Sequence, residues 1–396
     1  MAEYSQFPDA EYVGRYERLQ ALLTEAKLDA IIVTAKENVL YFSGLQTVGW
    51  DAKTRPVAVV MARGQEPVFV LPESLEAVAE ATTWVTNLCL WGGWRVKDAA
   101  KSPVAGIVKV LSQLGLERAR IGMEFGEEMY LTMHMTEFFE LQKSVAGASL
   151  VDASPVIWAL RMYKSEREVE CIRKACTATC RAFERGFSAM REGVSEQEVA
   201  GAMFEEMAHQ TQHIPGFVVV RSGPLKYKMM NVPPFRDKRL CNGDMVLLDA
   251  GAKYNDYWCD MMRMANVGGP TQEQLAFFEA EREAQWAAVA KLRSGVRAAD
   301  VVGAAVEIFQ RLGFAPHVGT MERIGHGVGL DVHEPPNIAA TSSQVLRTGM
   351  VVTVEPIFRD RDGRIGNFGI ENDLLITDTG FEDLTPFSRE LFVARR

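Results

Sequence analysis

The stretch Val246-Leu247-Leu248-Asp249-Ala250-Gly251, followed closely by Asp256-Tyr257-Trp258-Cys259-Asp260, decides the fold of this chain. An apolar run of this length, bounded by Gly and Asn, is typical of a buried strand, and it ends here in a carboxylate. A second carboxylate, Asp260, follows a short connection. A buried carboxylate is unfavourable unless a cation or hydrogen bonds compensate its charge. Two of them on adjacent strands therefore indicate a metal site.

Length and composition bound the class of protein. At 396 residues the chain is long for one domain, so two domains are expected, and a hydrophobic fraction of 47% is enough for two cores. The formal net charge of -9 argues against a nucleic-acid partner. The first residues contain neither a basic region nor an apolar region of a secretory signal, and no apolar stretch is long enough to span a bilayer. We expect a cytoplasmic protein with no membrane partner.

Three of the six cysteines, Cys171, Cys176 and Cys180, fall on one predicted helix. They contain no Cys-x-x-Cys pair, and their spacings of five and four place them along one helix face. We interpret them as small buried hydrophobic residues rather than as a soft-metal cluster.

The order of the elements predicts two domains of different class. Helix and strand alternate up to about residue 155, with a helix over 11–27 and a strand over 28–34, which indicates a small α/β domain with a mixed or mostly parallel sheet. Ser165 and Glu168 form a capping box that predicts the start of a long helix. From there, two rounds of paired helices and β segments predict an α+β unit. The expected bounds are 1–155, a linker over 156–164, and 165–396.

Further candidate ligands follow Asp260 in glycine-rich or β-rich surroundings. His326 lies between two glycines, where backbones can approach closely, and His333 follows it. Glu355 ends the apolar run 351–354, and Glu371 precedes the apolar run 374–376.

Each candidate has a plainer interpretation when it is taken alone. An Asp at a strand end is more often a turn residue, and a single buried His is more often a hydrogen-bonded core residue. Their joint occurrence favours a metal site. Two Asp, one His and two Glu suit a pair of divalent cations that share carboxylates.

These residues, in this order, resemble the signatures of the aminopeptidase P, prolidase and creatinase family. The resemblance is carried by Asp249 and Asp260 together with four motifs: Gly325-His326-Gly327-Val328-Gly329-Leu330, His333-Glu334, Thr353-Val354-Glu355-Pro356 and Gly369-Ile370-Glu371. The segments Arg161-Met162-Tyr163-Lys164-Ser165 and Asn38-Val39-Leu40-Tyr41-Phe42-Ser43-Gly44 are similar to the two-domain branch of that family. The resemblance implies a C-terminal pita-bread domain, a smaller creatinase-like α/β N-terminal domain, and a homodimer.

The same resemblance implies a role for each site residue. Asp249 would bind one metal ion, Asp260 and Glu371 would bridge both ions, and His326 and Glu355 would bind the second. Glu355 would also be the general base, and His333 would donate a hydrogen bond to the substrate carbonyl. The implied activity is that of a Xaa-Pro peptidase, in which metal-bound hydroxide attacks an amide carbonyl. Manganese is the expected metal, with cobalt, iron and zinc as alternatives.

The chain departs from the family where the family handles peptides. The Pro-His pair usual after Ser222-Gly223 is absent, and Lys226, Tyr227, Lys228 and Met230 occupy that segment. Gly369 stands where many members have Arg, and Met262 where they have Thr. We expect Tyr227 and Met230 to line the substrate pocket, although a plain surface loop accounts equally well for the segment.

These departures leave two further functions open. One is a metal-dependent lyase or hydrolase of a small non-peptide substrate, like dimethylsulfoniopropionate lyase, creatinase or ectoine hydrolase. The other is a non-catalytic homologue that keeps the fold to bind a partner. An intact ligand set argues against the second.

Overall fold

A computed structural model describes residues 2–52, 54–93, 99–211, 215–224, 233–314, 322–359 and 365–395. The chain divides into two compact units, Met1–Arg161 and Met162–Arg396. Much of the segment predicted as a linker is helical, because a helix covers Ser154–Arg161. Among the described residues, no helix combines the length and hydropathy that a bilayer crossing requires.

The N-terminal unit alternates helices with short strands. Its elements are α1 (Asp9–Glu25), β1 (Ala30–Val33), α2 (Lys36–Ser43), β2 (Ala58–Ala62), β3 (Val68–Pro72), α3 (Glu76–Thr82), β4 (Asn87–Trp91), α4 (Pro103–Gln113), β5 (Arg120–Met123), α5 (Met135–Ser144), β6 (Ser149–Asp152) and α6 (Ser154–Arg161).

Six described strands of this unit form one mixed sheet in the order β4-β3-β2-β1-β5-β6. The apolar strand β1 lies inside it, antiparallel to β2 and parallel to β5, and all four of its residues are fully buried. A strand buried on both faces reads as a continuous apolar run, which is why residues 28–34 were predictable as a strand. The prediction of a mixed α/β sheet is confirmed.

The C-terminal unit begins with a helix pair and ends in β structure. Its elements are α7 (Glu166–Ala189), α8 (Glu196–Gln210), β7 (Gly216–Ser222), β8 (Met245–Tyr254), β9 (Tyr257–Trp258), β10 (Met261–Val267), α9 (Gln272–Val289), α10 (Ala298–Arg311), β11 (Val351–Val354), β12 (Phe358–Arg359), β13 (Asn367–Phe368), β14 (Asn372–Ile376), β15 (Phe381–Asp383) and β16 (Phe392–Ala394).

Two sheets of this unit carry the candidate ligands. In the first, β8 lies between the antiparallel strands β7 and β10, and β16 runs parallel to β10. In the second, β14 lies between the antiparallel strands β11 and β15. The two sheets meet where the Glu371 backbone N–H donates to the Met262 carbonyl at 3.1 Å. The α+β prediction for this half is confirmed.

Helix α7 begins where the sequence places its capping box. The Ser165 hydroxyl accepts from the Glu168 backbone N–H at 3.2 Å, and the Glu168 carboxylate accepts from the Ser165 N–H at 3.0 Å. This exchange satisfies two backbone donors that have no partner within the helix. The prediction that Cys171 and Cys176 are buried is confirmed, whereas Cys180 is only partly buried.

Candidate metal centre

Asp249 and Asp260 enter the site from neighbouring strands. Asp249 lies within β8, opposite Met262 on β10 and Val219 on β7, and Asp260 immediately precedes β10. The expectation that Asp249 ends its strand is therefore wrong. The strand runs on to Tyr254 because the connection to β10 is itself a hairpin, in which Lys253 and Tyr254 pair with β9.

His326 reaches the site from a segment that lies against β11. Its backbone N–H donates to the Thr353 hydroxyl at 3.2 Å, and its carbonyl accepts from the Thr353 N–H at 2.7 Å. A Cβ on Gly325 would lie 2.2 Å from the Thr353 carbonyl oxygen, and one on Gly327 would lie 2.4 Å from that of Pro335. Glycines flank His326 because no side chain fits at either position, as the sequence indicated.

The imidazole of His326 is oriented for ligation. Its Nδ1 lies 3.0 Å from the Gly327 carbonyl oxygen, which can only accept a hydrogen bond. Nδ1 therefore carries the hydrogen, and Nε2 has a free lone pair that faces the carboxylates. Nε2 lies 3.4 Å from an oxygen of Glu355, 3.7 Å from one of Asp260 and 3.8 Å from one of Glu371.

Glu355 and Glu371 come from the second sheet. Glu355 follows the buried strand β11, and its N–H donates to the Ile324 carbonyl at 2.7 Å. Its side chain keeps 17% of its surface exposed, whereas that of Glu371 keeps 1%. The Glu371 carbonyl accepts from the buried guanidinium of Arg263 at 2.5 Å, which fixes the backbone at this ligand.

All five predicted ligands lie in one constellation. In the trio Asp249, Asp260 and Glu371, one ligand atom of each lies within 4.8 Å of the others. The same holds for the trio His326, Glu355 and Glu371. Glu371 belongs to both trios, which is the arrangement that a carboxylate shared between two cations requires.

The buried polar atoms of this constellation fit a divalent cation. Four of them have no hydrogen-bond partner among the described residues: Oδ1 of Asp249, Oδ1 of Asp260, Nε2 of His326 and Oε1 of Glu371. Buried polar atoms without partners are unfavourable, and bound cations would satisfy all four. The residues present therefore suit hard or borderline divalent metals.

Crowding of the carboxyl groups supports the same conclusion. Burial raises the pKa of the Asp249 carboxyl to about 7, and the nearby charge of Glu355 contributes. Burial also raises the pKa values of Asp260 and Glu371, and each is raised further by the other carboxylates of the site. Carboxylates packed this closely repel one another, and cations between them remove the repulsion.

His333 lies against His326 at the edge of the constellation. The two rings meet edge to face, with centroids 4.2 Å apart. Burial, then the neighbouring His326 and then Arg323 lower the pKa of His333 to about 4. At neutral pH His333 is therefore an uncharged imidazole that can donate one N–H bond.

Two supporting interactions had not been recognised in the sequence. The buried carboxylate of Asp373 accepts from the backbone N–H of Asp260 at 3.0 Å. The buried Lys164 ammonium lies 2.9 Å from the carboxylate of Glu334, beside His333. Asp373 follows Glu371 by two positions, and Glu334 follows His333 directly. Their closeness in sequence to candidate site residues was the signal that could have indicated a supporting role.

Two departures from the family pattern prove to be one spatial feature. A Cβ on Gly369 would lie 2.3 Å from the Sδ atom of Met262, a fully buried side chain. The methionine thus fills the space into which a residue at 369 would project. The expected pocket residues Tyr227 and Met230, like Lys226 and Lys228, lie outside the described residues.

Comparison with known proteins agrees with this geometry. Residues 170–378 match the model of metallopeptidase family M24, and residues 15–163 match that of the creatinase/prolidase N-terminal domain. The Xaa-Pro dipeptidase of Pyrococcus furiosus is 30% identical over 95% of this chain and 99% of its own length.

Solved structures extend the match to the whole architecture. The dipeptidase PepE from Mycobacterium ulcerans superposes with a TM-score of 0.85 at 27% identity, over 99% of this chain and all of that one. The prolidase from Pyrococcus horikoshii gives 0.80 at 27% identity, over 96% of this chain and 99% of that one. The predicted pita-bread domain preceded by a creatinase-like α/β domain is confirmed, and the chain belongs to metallopeptidase family M24.

Proposed function

We propose that this protein is a dinuclear metal-dependent Xaa-Pro dipeptidase. Membership of the family implies a hydrolase that uses divalent metal ions. The observation that carries the proposal is the convergence of five candidate ligand side chains, four of whose buried ligand atoms have no hydrogen-bond partner in the described part of the chain. The relatives named Xaa-Pro dipeptidase and prolidase support the substrate class.

In this proposal Asp249, Asp260, His326, Glu355 and Glu371 hold two divalent cations, with manganese as the first choice. Cobalt, iron and zinc are the alternatives, because carboxylate-rich sites with one imidazole accept all four. Bound there, the cations supply Lewis-acid polarisation of the scissile carbonyl and lower the pKa of a water molecule.

Two side chains handle the proton and the developing charge. The side chain of Glu355 is more exposed than that of Glu371. Its carboxylate oxygen takes the proton of the attacking water. His333 donates an N–H to the substrate carbonyl oxygen as negative charge develops on it. Because the pKa of His333 is lowered to about 4, this donor is neutral at physiological pH.

A panel of Xaa-Pro dipeptides tests the proposal. The metal-stripped protein is reloaded with Mn²⁺, and release of proline is compared with that of an Asp260→Asn variant, which lacks one bridging charge. Turnover of the wild type well above the variant supports the dipeptidase. Equal, background-level turnover across the panel while Mn²⁺ binds would rule it out.

One observation favours a second candidate, a lyase or hydrolase of a small non-peptide substrate. The Met262 thioether occupies the space beside Gly369, so the position where many family peptidases have Arg carries no charged side chain here. A thermal-shift screen with betaines and sulfonium compounds separates the candidates, because stabilisation by these compounds and not by dipeptides supports the second. A non-catalytic homologue stays third, and it requires a protein that binds no metal.

We also propose a cytoplasmic homodimer. The free cysteines of the described residues are compatible with a reducing compartment. Light scattering after size-exclusion chromatography tests the dimer, for which the expected mass is twice that of the 44.0 kDa chain.

A further inference from the structure

A buried cluster of two thiols and a carboxylate lies directly behind the metal ligands. Asp373 has no exposed surface, and its Oδ2 accepts from the Asp260 backbone N–H at 3.0 Å and from the Cys176 thiol at 3.3 Å. Ligand atoms of Cys176, Cys259 and Asp373 all lie within 4.8 Å of one another. The cluster joins the middle of α7 to the connection between β9 and β10 and to β14.

Asp373 is connected to ligands on both sheets. Its carboxylate holds the backbone of Asp260, and it lies two positions after Glu371 on the same chain segment. It also pairs across β11 and β14 with Thr353, whose hydroxyl accepts from the backbone N–H of His326. The Asp373 side chain therefore acts directly on the backbone of Asp260, one of the two carboxylates proposed to bridge the cations.

We propose that Asp373 is a positioning residue that fixes the orientation of Asp260 for metal binding, with Cys176 and Cys259 as its buried partners. The direction of a carboxylate is set by the backbone that carries it. The Asp373 carboxyl oxygen restricts that backbone because it accepts the Asp260 N–H at 3.0 Å. This inference rests on the proposed metal site.

The thiols reduce the cost of burying Asp373. Burial raises the pKa of the Cys176 thiol to about 12, so the sulfur carries the hydrogen that it donates. A thiol is a weak donor, and it leaves the carboxylate a strong acceptor for the Asp260 N–H. This accounts for Cys176 in the middle of α7, where its neighbours in space are Asp373 and Cys259.

Mn²⁺ titration calorimetry on the full-length, metal-stripped protein tests the proposal. Asp373→Ala removes the acceptor, and we expect Mn²⁺ affinity to fall about 10- to 100-fold. Asp373→Asn keeps an acceptor oxygen, so its affinity should stay within a few-fold of wild type. Cys176→Ala should give a smaller loss than Asp373→Ala, and Cys176→Ser should restore affinity because its hydroxyl can donate.

Asp244→Ala is the matched control. Asp244 is a buried aspartate of the same unit that accepts a backbone N–H, that of Cys241 at 2.9 Å, and it is not part of the ligand constellation. We expect this variant to lose thermal stability in EDTA while its Mn²⁺ affinity stays unchanged. A positioning role and a merely structural role are thereby separated.

Three results would overturn the inference. The first is unchanged Mn²⁺ affinity in Asp373→Ala together with a lowered melting temperature in EDTA, which would make Asp373 merely structural. If Asp373→Ala does not fold, the second is unchanged Mn²⁺ affinity in Cys176→Ala, where the proposal expects a loss. The third is a thiolate-to-Cd²⁺ absorption band that disappears in Cys176→Ser, since the cluster would then be a soft-metal site. Failure of the wild type itself to bind Mn²⁺ would instead reject the proposed function.

Discussion

His333 lies next to the proposed ligand His326 and is not one of the five proposed ligands. We expect His333→Ala to lower kcat by about 10²- to 10³-fold, because it removes one donor to the developing negative charge. Mn²⁺ affinity should not change, because the other five side chains hold the cations. Steady-state kinetics with calorimetry on the same preparation measures both quantities, and a variant that loses metal would make His333 a ligand.

Gly369 is confined by a neighbour rather than by its backbone. Gly369→Ala would place a methyl group 2.3 Å from the Met262 Sδ atom, and since Met262 is buried in the core its side chain can shift only by displacing its neighbours. Overpacking of this kind destabilises by about 1–3 kcal/mol. Urea unfolding should show this loss in the wild-type background and a smaller loss beside Met262→Ala, and equal losses in both backgrounds would contradict the contact.

The sequence was sufficient to predict the side chains that come together as proposed ligands, but not the contacts that support them. Asp249, Asp260, His326, Glu355 and Glu371 each end an apolar run or lie in a glycine motif, which a sequence displays directly. The role of Asp373 depends on partners that lie 113 and 197 positions away along the chain, at Asp260 and Cys176. These residues come together only in the folded protein, so no local sequence pattern indicates their contacts.

At the scale of elements, helix starts were predicted better than strand ends. The capping box at Ser165 predicts the start of α7, and that helix begins there; in the structure a second capping box, at Ser195, begins α8. A capping box is a local exchange of hydrogen bonds, so four consecutive residues of the sequence are enough to predict it. The extension of β8 beyond Asp249 depends on its pairing with β7, β9 and β10, which is a property of the sheet.

A buried ion pair helps to hold the segment that carries His333. Lys164 and Glu334 are each 1% exposed, and Glu334 also accepts the backbone N–H of Asp331 at 3.1 Å. We expect Lys164→Met to cost about 3–5 kcal/mol of unfolding free energy, because it leaves a buried carboxylate without its cation. Chemical denaturation measures this cost.

The double variant Lys164→Met/Glu334→Gln provides the control for that ion pair. Removal of both charges should cost less than Lys164→Met alone, since no buried charge is then left uncompensated. A double variant that loses the sum of the two single losses would show that the side chains act independently.

At the scale of the molecule, metal binding should stabilise one unit directly. All five proposed ligand side chains lie in Met162–Arg396. A metal ion present at 100 times its Kd stabilises the folded state that binds it by about 2.7 kcal/mol. We expect Mn²⁺ to slow hydrogen exchange in β8, β10, β11 and β14, and to leave β1 of the other unit unchanged. Asp260→Asn is the control, and equal protection in both units would contradict a site confined to the second.

The five ligands are spread along the chain from Asp249 to Glu371, and the last of them is locked by the strand that follows it. During synthesis the N-terminal parts of a chain emerge and fold first. When Asp249 and Asp260 have emerged from the ribosome, His326, Glu355 and Glu371 have not yet been added. Such a nascent chain contains two of the proposed ligands and no complete metal site. We therefore expect metal insertion to require a chain synthesised at least through β14, and a chain truncated before β14 should not bind added divalent metal ions.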